Sequence, residues 1–79
     1  MNTNEIIALS EKIYNERYKS DLERTHLDYF VAIEPESGEY FLGTTLSEAA
    51  AAARKVWPDR RPGVLRIGHR AAIHMGGQM

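Results

Sequence analysis

Residues Asp28 to Lys55, DYFVAIEPESGEYFLGTTLSEAAAAARK, run two strand patterns directly into a helix pattern, and this order leaves few folds open. Tyr29 to Glu34 alternates, with Tyr29, Val31 and Ile33 on one face and Phe30 and Ala32 on the other, which is the two-residue period of a β-strand. Pro35, Glu36, Ser37 and Gly38 follow. Proline presets φ and glycine admits positive φ, so these four read as a turn. Glu39 to Thr44 alternates again, Tyr40 and Leu42 against Phe41 and Gly43, completing a hairpin.

Thr45 and Glu48 form a capping-box pattern before a helix from Leu46 to Val56. Its apolar stripe is Leu46, Ala49, Ala50, Ala53 and Val56, and alanine there lets a helix lie close against a sheet. Trp57 precedes Pro58, and a residue before proline is pushed out of helical geometry. Val64 to His69 reads as a third strand, with Leu65, Ile67 and His69 on one face and Val64, Arg66 and Gly68 on the other. Upstream, Ile6, Leu9 and Ile13 recur at three- and four-residue steps, and Ile7, Tyr14, Tyr18 and Leu22 widen the stripe. This predicts one helix over residues 4–25, with Asn2 and Glu5 as a second capping box. Ala71 to His74 reads as a frayed strand or turn.

The expectation is a single α+β domain over residues 1–70, order α-β-β-α-β, with a three-stranded, mainly antiparallel sheet and two helices. Residues 71–79 are read as a flexible tail. Aromatics on both faces of the first two strands need two covers. Either the N-terminal helix supplies the second or another chain does. A 79-residue chain has a thin core. It has no cysteine to reinforce that core, so pairing into a homodimer is expected. The N-terminus lacks a basic segment followed by an apolar core, and no run approaches the roughly 18 apolar residues of a membrane span. A cytoplasmic protein without membrane contact is expected.

Chemistry is sparse. His26, His69 and His74 lie on a helix end, a strand and the tail, without the spacing of a metal-ligand pair. Gly76-Gly77-Gln78 spells the tripeptide with which release factors hydrolyse peptidyl-tRNA, but the larger domains of those proteins are missing. Glu34, Glu36 and Glu39 read as solvated turn charges. No serine, threonine or lysine stands in a nucleophile motif. The chain reads as a non-enzyme with no cofactor.

Charge is more informative. Residues 1–45 carry nine acids against four bases, and residues 46–79 carry six bases against two acids, so the halves are −5 and +4. In one reading the halves attract each other within the fold. In the other, Arg60, Arg61, Arg66 and Arg70, together with Trp57, share one end of the third strand as a partner-binding patch. A protein partner is the leading expectation. Nucleic-acid backbone binding is the alternative, although aromatic interleaving is missing apart from Trp57.

The run Tyr29-Phe30-Val31-Ala32-Ile33, Ser37-Gly38-Glu39-Tyr40, Leu42-Gly43, Glu48-Ala49 and Arg66-Ile67-Gly68 resembles a group of small bacterial proteins sharing an SGEYFLG…EA…RIG pattern. That group often has glycine before the first strand, where this chain has Asp28. The resemblance implies no catalytic residue and a neighbouring aspartyl-protease-like gene, hence a partner protein. Gly43-Thr44-Thr45-Leu46-Ser47-Glu48-Ala49 is also similar to the hairpin-to-helix step of HicB-type antitoxins, without their longer sheet or DNA-binding segment. Together these imply an antitoxin-like or accessory role.

The capping box yields a direct test. Thr45→Ala should lower stability by about 0.5–2 kcal/mol, read as a drop in the denaturation midpoint. An unchanged midpoint would move the helix start elsewhere.

Overall fold

Inward-facing positions of the first helical run recur every four residues: Ile6, Ser10, Tyr14, Tyr18 and Leu22. An ideal α-helix has 3.6 residues per turn, so such a row drifts by roughly 40° at each step. The computed structural model describes residues 2–69 and 72–74, and it shows how the chain absorbs this drift. Helix α1 (Thr3–Ile13) passes into a π-helical segment, Tyr14–Tyr18, and continues as α2 (Lys19–Thr25). Within that segment the Lys19 N–H bonds to the Tyr14 carbonyl. The wider turn resets the phase, so that Ile6, Ser10, Tyr14 and Leu22 are all buried. Three- and four-residue spacing predicts the helical run but does not distinguish this widening from a plain α-helix.

Both predicted caps form. The Asn2 side chain accepts from the Glu5 N–H while the Glu5 carboxylate accepts from the Asn2 N–H, a complete capping box. At α3 (Leu46–Val56) the Thr45 hydroxyl accepts from the Glu48 N–H. The Glu48 carboxylate instead reaches one residue further back, to the N–H and hydroxyl of Thr44. Those bonds hold the exposed Glu48 carboxyl below its usual range.

The strands are β1 (Phe30–Ile33), β2 (Tyr40–Gly43), β3 (Gly63–Arg66) and β4 (Ala72–His74), in the antiparallel order β2-β1-β3-β4. The α+β class, the element order and the three-stranded antiparallel sheet β2-β1-β3 agree with the sequence. Ala72–His74 adds a fourth strand beside β3. The rest of the expected tail, including Gly76-Gly77-Gln78, lies outside the described residues, as does Arg70. Strand β3 is shorter than predicted. The Ile67 N–H still bonds to the Tyr29 carbonyl, but Gly68 takes φ +89° and the His69 N–H bonds back to the Arg66 carbonyl.

The sheet is buried on both faces. Val31, Ile33, Leu65 and Ile67 pack with Ile13, Tyr14 and Leu22 of the first helical run. Ala32 and Val64 pack with Ala49, Ala50 and Ala53 of α3, flanked by Phe30, Phe41 and Leu46. The second cover is therefore the N-terminal helix. Val56, expected in the apolar stripe of α3, is exposed. Gly63 permits the close approach of α1 to β3, because a Cβ there would collide with the Ser10 side chain.

Asp28 adopts φ +71°. This is left-handed backbone, which a Cβ disfavours by about 1–2 kcal/mol. The Asp28 carboxylate meets His69 at 2.9 Å. Asp28→Ala and Asp28→Gly lose that same contact, so their difference reports the backbone alone. Asp28→Gly should be the more stable of the two by about 1 kcal/mol in chemical denaturation. Equal midpoints would show that the turn relaxes out of the left-handed region.

Candidate functional site

The hairpin turn is organised by a carboxylate that the sequence places in solvent. Glu34, directly after β1, is only 1% exposed. Its carboxylate accepts from the Glu36 N–H (3.1 Å), the Ser37 N–H (2.7 Å) and Arg60 Nη1 (3.0 Å). Burial pushes the Glu34 carboxyl up, but the bonds from Ser37, Glu36 and Arg60 outweigh it and hold it below its usual range. Gly38, at φ +79°, closes the turn by donating its N–H to the Glu34 carbonyl. The Tyr18 hydroxyl donates to the Gly38 carbonyl at 2.6 Å, tying the turn to the π-helical segment. The reading of Glu34 as a solvated charge is thus corrected. The available signal was a carboxylate standing immediately before a proline turn whose next two N–H groups have no strand partner.

The predicted partner-binding residues separate into two places. Trp57 caps α3 and donates its indole N–H to Glu39. The Arg60 guanidinium lies over the Trp57 ring at 4.2 Å and also meets Glu36 at 3.6 Å. Arg61 is exposed and, with Arg60 and Glu34, lines a recess of about 230 Å³. Arg66 lies at the far end of β3. It faces Phe30 at 5.4 Å and donates weakly to the Asp28 carbonyl at 3.4 Å. Strand β3 separates Arg66 from Arg60 and Arg61, because its first residue pairs with Ile33 and its last with Phe30. His69 likewise sits at the Arg66 end and not beside the Arg60 loop. At Arg60, the attraction between the acidic and basic halves is realised inside the fold.

A second recess, about 410 Å³, lies where the first helical run meets the end of β3, with Tyr14, Lys19, Glu23 and His69 in its wall. The Tyr14 hydroxyl donates to Glu23 at 3.2 Å. Burial, followed by the Glu23 charge, pushes its pKa up to about 12, so the phenol stays protonated. Among the described residues no group of three or more His, Cys, Asp or Glu side chains is placed to hold a metal ion.

The remaining feature is an edge. Among the described residues strand β2 is outermost, with β1 its only neighbour. The bond from the Glu34 N–H to the Glu39 carbonyl fixes the phase of the β1–β2 ladder. Antiparallel pairs alternate between bonded and non-bonded. In the register Ile33↔Tyr40, Ala32↔Phe41, Val31↔Leu42, the backbone of Phe41 and Gly43 therefore turns toward β1 and that of Tyr40 and Leu42 turns outward. Tyr40 is 41% exposed and stacks edge-on against Tyr18. Gly38 and Glu39 together oppose Glu34, a bulge at the turn end of β2, but the four strand residues Tyr40 to Gly43 carry no charge or proline. Sequence alternation locates the strand, but its place at the rim follows only from the pairing of β1 with β3.

Comparison with protein-family models, with curated proteins and with solved structures returns no match.

The buried carboxylate gives a pH signature. Its pKa is depressed on folding, so its contribution is present above the ordinary carboxylate range and is lost as pH falls through the folded value. Glu34→Gln should lower stability at neutral pH by about 1–3 kcal/mol and flatten the acid limb of the stability–pH curve. Parallel curves for the two proteins would show that Glu34 is not the group titrating.

Proposed function

We propose that this chain is a small protein-interaction module that acts by accepting a strand from a partner protein along β2, in an accessory or antitoxin-like role in the cytoplasm. The observation that carries this reading is the outward-facing backbone of Tyr40 and Leu42 on an uncharged edge. Strand addition uses such unpaired N–H and C=O groups for affinity and neighbouring side chains for selection. Both sheet faces are occupied by the chain's own helices, so further β-structure attaches at a rim of the sheet, and β2 is one of its two outer strands. No helix among the described residues is long and apolar enough to cross a membrane, which is compatible with this role. The nucleic-acid alternative has less behind it, since Arg60 is committed to Glu34 and Glu36 and Arg66 stands apart from it.

Tyr40→Pro tests the proposal. Its N–H faces outward, so proline there removes no ladder bond to β1. A photo-crosslinking residue at position 40 in the host should identify the partner. Tyr40→Pro should then weaken binding of that purified partner by roughly two- to tenfold, the lost N–H bond being worth about 0.5–1.5 kcal/mol. Unchanged affinity in a folded Tyr40→Pro protein would remove β2 from the interface.

A further inference from the structure

We infer that, when no other protein is bound, the occupant of the β2 edge is a second copy of this chain, paired antiparallel about a two-fold axis through Phe41. This inference rests on the edge reading above and adds an occupant and a register. The outward-facing residues are Tyr40 and Leu42, two positions apart with Phe41 between them. An antiparallel pair uses both only if Tyr40 of one copy stands opposite Leu42 of the other. Each such pair exchanges two backbone bonds, and the two-fold axis generates the second pair. Centring the axis on Tyr40 or on Leu42 leaves the other residue's groups facing a turn or a cap. On the cap side, the Thr44 N–H is already taken by Glu48.

Charge favours the same occupant. Tyr40-Phe41-Leu42-Gly43 has no ionisable acid or base that selects an oppositely charged strand. In this register Glu39 meets Gly43 of the second copy, so no like charges face each other across the axis. The two Phe41 side chains become a directly opposed, non-hydrogen-bonded pair on the face covered by α3. Tyr40 meets Leu42 of the second copy on the other face, beside Tyr18. The result is one continuous eight-stranded sheet made from two four-stranded ones, within the usual range for open twisted sheets. A stable interface takes about 800 Å² from each partner, a substantial part of the 4764 Å² this chain exposes. A four-residue edge supplies only a fraction of that, so the dimer is concentration-dependent and another protein's strand can displace it.

The chain lacks cysteine, so single introduced cysteines report the register cleanly. Cysteines at position 41 would stand opposite each other with Cα atoms about 4.5 Å apart, within disulfide reach. Cysteines at position 40 or 42 would be roughly 8–9 Å apart, beyond it. The experiment oxidises purified Phe41→Cys, Tyr40→Cys and Leu42→Cys proteins mildly, with folding checked by circular dichroism. Sedimentation of the unaltered protein over a concentration series runs beside it. The expected result is a mass rising toward twice 9.0 kDa with concentration, and disulfide-linked dimer from Phe41→Cys well ahead of the other two. Two results would overturn the inference: an unaltered protein that remains monomeric at the highest concentration, or a dimer whose crosslinks favour position 40 or 42 or miss all three. Neither result touches the proposal of a different protein partner, which the Tyr40→Pro affinity measurement decides separately. If Phe41→Cys fails to fold, Tyr40→Lys replaces it, and a sedimentation profile unchanged by that charge counts against the edge.

Discussion

Strand β1 has a neighbour on each side and an apolar surface on each face, and Val31, Ala32 and Ile33 are all fully buried. A segment enclosed in this way needs four partners at once. The chain supplies them as β2, β3, the N-terminal helical run and α3. Removing any one leaves a row of apolar side chains or unpaired backbone groups in water. In so short a chain there is no second layer to compensate. Other features of the molecule can be read as adjustments to this enclosure. The π-helical segment keeps one row of residues against the sheet, the alanines of α3 let it lie close, and Gly63 lets α1 approach β3.

Much of this was legible because local patterns and global packing agree. Alternation in Tyr29–Glu34 and Glu39–Thr44, the proline–glycine turn and the two capping boxes each depend on residues a few positions apart. They led to the correct element order and to a correct choice of which alanines face inward. What was not legible depends on pairs distant in sequence. Glu34 looks solvated until Arg60, twenty-six positions later, is brought to it. The arginines appear as one cluster because they are close in sequence, but an extended strand carries its two ends apart, so Arg66 leaves Arg60 behind. The edge position of β2 follows from the pairing of β1 with β3, which no periodicity encodes.

The charge asymmetry also changes meaning once folded. Acidic and basic halves suggested an acidic target for the basic one. At Arg60 the target is internal, and the same contact that neutralises it fixes the turn at the hairpin tip. In the proposed strand-accepting role, recognition rests less on long-range attraction than on backbone geometry along a neutral strand. Such recognition depends weakly on ionic strength and strongly on register.

The enclosure of β1 also has a consequence for the order in which the molecule is made. The N-terminal helical run is synthesised first, but its inward side chains Ile13, Tyr14 and Leu22 pack on Val31, Ile33, Leu65 and Ile67. Two of those four arrive only after the hairpin and α3 have been made. At about 5–20 residues per second on a ribosome, the helix waits for seconds with an apolar side uncovered.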